Sequence, residues 1–322
     1  MKIMHKLLLI ASIFCSATLP IESLTPENTV FSFDIDDVII QKSFWHKGKL
    51  VVGGILQNIF GATDYIRALL NVKNSYKRDS NGVKEDLCDK HGNEIGGLTF
   101  HFLYLGMRDP RLTPYVAWII ETVEHSLCFI DGTKKIIAYL KAKGYTIVFA
   151  TNKDRVSYDM TAEALGNEFT HIAAKVFVAH PGNSETILAQ LKEFAELPTT
   201  PVSYKQLEYK TRTAQPTTTI LHAPDRKPAL PYFQYMENTV GADKHIIFID
   251  DKIENVNGFD KLQEATTALR HGICFKNAMQ LAEELIKIGI LSEIDDKKFL
   301  DELRYPGIKG RIMRPLLHYL HT

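Results

Sequence analysis

The chain has 322 residues, of which 45% are hydrophobic, and its 38 Lys and Arg are balanced by 38 Asp and Glu. That length exceeds the ~100–200 residues of one ordinary domain and leaves ample apolar material for a core, which excludes a disordered chain. A formal net charge of zero argues against electrostatic capture of nucleic acid or of an anionic membrane as the main activity.

The chain opens like an address. Lys2, His5 and Lys6 form a basic start, residues 7–14 are an apolar stretch, and Cys15, Ser16 and Ala17 offer small residues for cleavage. Residues 1–17 are therefore expected to be a secretory signal, with the mature protein exported to the periplasm or secreted. The competing reading is an apolar helix packed on the domain. The apolar stretch is too short for the ~20 residues of a spanning helix, so no integral membrane segment is expected after cleavage. Ile13 and Phe14 are bulky where a lipid-modified Cys15 would want small neighbours.

Val30, Phe31, Ser32 and Phe33 read as a buried strand that stops at Asp34, Asp36 and Asp37. In an open α/β sheet the ligand crevice lies at the carboxyl ends of strands, and carboxylates crowded there repel each other unless a cation or shared proton relieves them. Asp37 reads as a turn residue. Residues 41–127 form a long interruption that no strand-helix unit needs. Its Trp45, Phe60, Tyr65, Leu69, Phe100, Phe102, Tyr104 and Trp118 can build a small core. Helical spacing over 61–72 and 114–126 predicts a mainly α-helical insertion, with a loop or hairpin at 73–97.

Beyond the insertion, Ile136, Ile137 and Leu140 predict a helix over 133–143 with Gly144 as its stop, then a strand over 146–150 ending at Thr151 and Asn152. A helix over 158–165, a strand over 174–179 and a helix over 184–196 follow. Residues 197–225, rich in Thr, Pro and Gln, read as an extended surface excursion. Lys227 is a cation placed just before a predicted helix, and the apolar run 245–249 stops at Asp250 and Asp251. A strand over 272–275 and an amphipathic helix over 279–288 complete the pattern. The tail 294–322 carries Lys309, Arg311 and Arg314 and is expected to dock as a helix on its own domain. Strands separated by helices of this length predict a parallel sheet with helices on both faces.

Cys88, Cys128 and Cys274 remain after removal of a signal. Being odd in number and without CxxC spacing, they indicate neither a disulfide framework nor a zinc site. The histidines show no HExxH, and no GxSxG elbow, P-loop or dinucleotide fingerprint is present. What remains is a set of hard oxygen donors. Asp34 and Asp250, with a backbone carbonyl at Asp36, suit Mg²⁺, and Asp251 could hold a metal-bound water.

These four groups, in this order, resemble the motifs of the haloacid dehalogenase (HAD) superfamily: Asp34 and Asp36 as motif I, Thr151 as motif II, Lys227 as motif III, and Asp250 with Asp251 as motif IV. A looser similarity links Phe33 to Asp37, followed by Phe44, Trp45, Gly48 and Lys49, to exported class B acid phosphatases, although Val38 stands where those carry threonine. The resemblance implies a Rossmann-type core at 18–40 and 128–292, a cap at 41–127 between motifs I and II, and a helical tail at 293–322. It implies a Mg²⁺-dependent phosphatase for small phosphorylated substrates. Asp34 would be the nucleophile and Asp36 the general acid and base, while Thr151 and nearby backbone N–H groups with Lys227 would meet phosphoryl charge. A phosphoprotein-directed phosphatase and a non-catalytic binding protein on the same core are the alternatives.

Overall fold

The computed structural model describes residues 23–42, 49–57, 59–75, 110–112, 115, 119, 122–123, 126–153, 155–179 and 218–304. The expected signal, the loop at 73–97 apart from 73–75, the helix over 184–196, Cys88 and the basic end of the tail lie outside them.

Six strands make one parallel sheet: β1 (Thr29–Phe33), β4 (Thr146–Ala150), β5 (Lys175–Val178), β6 (Thr219–His222), β7 (His245–Asp250) and β8 (Arg270–Cys274). Their spatial order is β6-β5-β4-β1-β7-β8, so the chain builds outward from β1 on one side and then crosses to the other. β1 is the central strand, with Phe33 level with Phe149 of β4 and with Ile249 of β7. Every residue of β1 is buried, as a parallel strand covered on both faces requires.

Alternation along the strands divides the core in two. Phe31, Phe33, Ile147, Phe149, Ile247 and Ile249 face a cluster completed by α2 (Asp131–Ala142), α3 (Arg155–Leu165), α6 (Ala278–Lys287) and α7 (Lys297–Arg304). Val30, Val148, Phe177, Ile246 and Phe248 face the other, where Tyr232, Phe233 and Met236 of α4 (Leu230–Val240) meet Phe259 of α5 (Ile253–Asp260). Each fully buried aromatic contributes on the order of 1.5–3 kcal/mol of apolar transfer. The α/β architecture with a parallel sheet and helices on both faces is thus as the strand-helix alternation predicts. α2 buries the expected Ile136, Ile137 and Leu140, and Gly144 ends it at φ +91°, a left-handed conformation that glycine adopts without strain.

Strand β6 differs from the expectation. β6 lies inside the segment read as a surface excursion, pairing Thr219 with Lys175 and His222 with Val178. It is a four-residue edge strand between polar neighbours, too short to show a period, and its place is set by β5 and not by its own pattern.

A second, antiparallel ribbon stands apart from the main sheet: β2 (Ile40–Lys42) pairs with β3 (Leu127–Phe129), Ile40 opposite Phe129 and Lys42 opposite Leu127. The insertion leaves the core along β2 and returns along β3. Its described parts are helical, from Lys49–Gly53 and Gly54–Gln57 to α1 (Ala62–Ser75), and Tyr65, Ala68, Leu112, Ile119 and Val123 are buried within it. α7, in the described part of the tail, packs on the domain with the Phe299 ring stacked on Tyr139 at 4.0 Å. Among the described residues no helix is long and apolar enough to cross a membrane.

Candidate active site

The candidate side chains gather at the carboxyl ends of β1, β4 and β7, at the point where the strand order reverses, as ligand crevices in open α/β sheets do. Asp34 follows β1 directly, and its N–H still belongs to the sheet, donating to Ile249 O at 2.8 Å. Asp250 is the last residue of β7 and is wholly buried, with its carbonyl accepting from Phe275 N. Both carboxylates are therefore fixed by strands and not by loops.

Lys227 joins them. Its ammonium lies 2.9 Å from Asp34 Oδ1 and 2.6 Å from Asp250 Oδ2, and it donates to Ala150 O at 2.7 Å. Those three contacts use all three of its protons. The backbone that delivers Lys227 is clamped by Asn152: Lys227 N donates to Asn152 Oδ1 at 2.8 Å, and Asn152 Nδ2 donates to Lys227 O at 3.0 Å. Gly258 of α5 packs on the next residue so closely that an added Cβ would lie 2.5 Å from Pro228 O. Helix α5 and the Lys227 loop can approach this far only because that position has no side chain.

Asp250 has two further donors. Asn255 Nδ2 reaches both its oxygens, at 2.9 and 3.0 Å, and Lys252 N donates to Oδ1 at 2.9 Å. Asn255 thus touches the carboxylate itself. The helix α5, which begins at Ile253 after the N-cap Lys252, turns its first turn back onto the end of the strand.

One ligand atom from each of Asp34, Asp250 and Asp251 lies within 4.8 Å of the others. Asp251, expected at one remove from a metal, belongs to the cluster itself, and its Oδ1 is buried without a hydrogen-bond partner among the described residues. Asp36 does not join this cluster by its side chain. Its half-exposed carboxylate turns to Lys153, Oδ1 lying 3.1 Å from Nζ.

The loop after β4 is closed on itself. Thr151 N donates to Phe177 O at 3.0 Å and Lys153 N to Thr151 Oγ1 at 3.0 Å, so two of the backbone donors expected near a phosphoryl group are already committed. Among the described residues the Thr151 hydroxyl accepts a hydrogen bond but has no acceptor for its own proton. Tyr232, from α4, bonds to the carbonyls of both Phe177 and Thr151 and ties the ends of β4 and β5 together.

The electrostatics are those of an under-neutralised site. Burial pushes Asp34 upward, Lys227 only partly offsets this, and Asp250 and Asp36 push it further, so that it reaches about 7. Burial also raises Asp251, with Asp250 adding to it. Burial would pull Lys227 down, but Asp34 and Asp250 more than compensate and hold it above its ordinary value. Two carboxylates share one fully buried lysine, and Asp251 adds a third charge beside them. The donor set is all oxygen and all anionic, and together with the unpartnered oxygen of Asp251 it fits a hard divalent cation.

Cys128 and Cys274 are both free thiols, Cys128 on the ribbon and Cys274 at the end of β8. No protein-family model matches the chain, and no curated protein matches it.

Proposed function

We propose that the protein is a Mg²⁺-dependent phosphomonoesterase of the HAD type, working through an aspartyl-phosphate intermediate on small phosphorylated substrates. The observation that carries this reading is the cluster of Asp34, Asp250 and Asp251 at the switch point of the sheet, with Lys227 bridging Asp34 and Asp250. Metal binding would fall to the carboxylates of Asp34, Asp250 and Asp251, and when bound the ion would supply charge neutralisation for the nucleophile and the phosphoryl oxygens.

In the first half of the reaction an Asp34 oxygen attacks phosphorus, the ester P–O bond breaks, and a proton from Asp36 goes to the departing oxygen. In the second half Asp36 takes a proton from water, which attacks phosphorus, breaks the bond to Asp34 and releases orthophosphate. Lys227 holds Asp34 in place and balances its charge, Asn255 and Lys252 N–H orient Asp250, and the Thr151 hydroxyl serves as donor to a phosphoryl oxygen. Because Asp34 directly follows β1, with its N–H still bonded into the sheet, and Asp250 ends β7, the nucleophile requires little reorganisation to react. The insertion carried by the β2–β3 ribbon is read as the cap that excludes water and selects the substrate, and the N-terminal residues 1–17 as the signal for export.

The test is release of product from a generic aryl phosphate by the protein lacking residues 1–17. Turnover should require Mg²⁺, stop with chelator, and fall roughly a thousandfold or more in Asp34→Asn, as removal of a nucleophile does. Turnover undiminished in that variant would refute the reading.

A further inference from the structure

Lys227 has no proton left beyond Asp34, Asp250 and Ala150 O, so it cannot also serve Asp36. Asp36 has its own lysine. Lys153 is 8% exposed at its side chain, Asp36 is 50% exposed, and the two meet at 3.1 Å. The geometry points to Lys153 as the positioning residue for Asp36, the group that holds this carboxylate at the mouth of the site for proton transfer to the leaving oxygen; the inference rests on the phosphatase reading above.

Three features of the fold support it. First, Lys153 is rigidly placed: its N–H is on Thr151 Oγ1 at 3.0 Å, and its carbonyl accepts from Ala179 N at 3.1 Å, so both sides of its backbone are tied to the ends of β4 and β5. A surface ion pair between two mobile chains contributes little, but an ammonium fixed by its backbone and largely out of water can orient the more exposed partner. Second, Asp36 lies in a segment with little backbone freedom. It forms an isolated bridge to Ile40, Asp37 N donates to Ile40 O at 2.7 Å, and Asp37 sits at φ +59°. With the backbone fixed, the carboxylate's remaining freedom is rotation of its side chain, and a contact to one oxygen removes it while leaving the other oxygen for the substrate. Third, the division of labour is spatially clean. The nucleophile and the metal-binding carboxylate share the buried lysine from the loop before α4, and the acid-base carboxylate has the lysine from the loop after β4.

Lys153 moves no proton and breaks no bond in this account. As Asp36 gives its proton to the departing oxygen, the negative charge that grows on Asp36 does so beside an ammonium already in place. The benefit is therefore confined to substrates whose leaving group needs a proton. An alkoxide needs one, and p-nitrophenolate leaves without it.

The experiment compares p-nitrophenyl phosphate with a simple alkyl phosphate, with Mg²⁺ present, for the wild type, Lys153→Met, Lys153→Arg, Asp36→Asn and the Asp36→Asn/Lys153→Met double variant. Lys153→Met should lower kcat on the alkyl ester roughly ten- to a hundredfold more than on the aryl ester, a share of the ~10²–10⁴ that general acid catalysis supplies. Lys153→Arg should restore most of it, and in the Asp36→Asn background Lys153→Met should cost nothing further. Equal losses on both esters, additive losses in the double variant, or a raised KM with unchanged kcat would overturn the inference, the last by assigning Lys153 to phosphate binding. A wild type inactive on both esters would instead overturn the phosphatase reading itself. Should thermal melting show that Lys153→Met does not fold, Lys153→Gln carries the same comparison.

Discussion

Asp296 and Asp34 are both carboxylates shielded from water and both paired with a lysine, yet one is held below the ordinary carboxylate range and the other well above it. At Asp296, where α7 begins, burial pushes upward, but Tyr139 OH, Ser292 N and Lys143 all donate to it and together prevail. Among the described residues no second carboxylate shares those donors. At Asp34 the one lysine is divided with Asp250, and Asp251 adds a third charge to the group. The same chain therefore knows how to satisfy a buried carboxylate and does so where the role is to hold α7 against α2. Where strands β1 and β7 end it leaves negative charge in excess, an arrangement with a stability cost that a bound cation would relieve.

Removing the shared lysine should exaggerate the contrast most. Lys227→Met leaves Asp34 and Asp250 buried without their ammonium and should cost about 3–5 kcal/mol at neutral pH in urea unfolding. Added Mg²⁺ should restore part of that loss, and a variant indifferent to Mg²⁺ would remove the metal from the account.

Mg²⁺ should next separate the two regions in the wild type. At a hundred times its Kd it should stabilise the protein by about 2.7 kcal/mol, read as a raised Tm, and Asp250→Asn should abolish the increment. The pH dependence follows from the direction of the shift. Asp34 rises from 3.8 to about 7 on folding, so in that window the folded state binds more protons, and the stabilisation present at low pH is lost as pH rises through about 7. Metal-free wild type should thus lose stability between about pH 4 and 7, and Asp34→Asn should not show that slope.

Asp296→Asn should give a smaller loss, about 1–2 kcal/mol at neutral pH, because the amide keeps the shape but not the charge that Lys143 and Ser292 N meet. Here the sign is opposite. Asp296 is lowered from 3.8 on folding, so its contribution is present above that value and disappears as pH falls through the lowered one. The gap between wild type and Asp296→Asn should close in acid, and a gap that persisted there would assign the loss to packing.

The legible and illegible parts of this site divide by sequence distance. Asp34, Thr151 and Asp250 could be found because each ends an apolar run, and a strand that ends in polar groups announces which end of the sheet is wet. Lys227 was findable only by its place between the second and the last of these. Lys153 was not, since its pairing with Asp36 depends on β4 lying beside β1, which periodicity within either strand does not encode. Asp251 reads from sequence as holding a metal-bound water, and the contact of Asn255 with Asp250 is not legible there, because it depends on the helix α5 folding back onto the end of β7. β6 was missed for the same reason as Lys153: an edge strand of four residues is specified by its neighbour.

The β2–β3 ribbon also bears on how such a chain can change. With Lys42 opposite Leu127, the two ends of the insertion are held side by side whatever lies between them. The entropy of closing a loop grows only with the logarithm of its length, about 0.6 kcal/mol for each doubling. The core is thus nearly indifferent to how much polypeptide hangs from the ribbon, and the piece beyond Lys42 is free to be lengthened, shortened or exchanged while Asp34 and Asp250 stay where the sheet puts them.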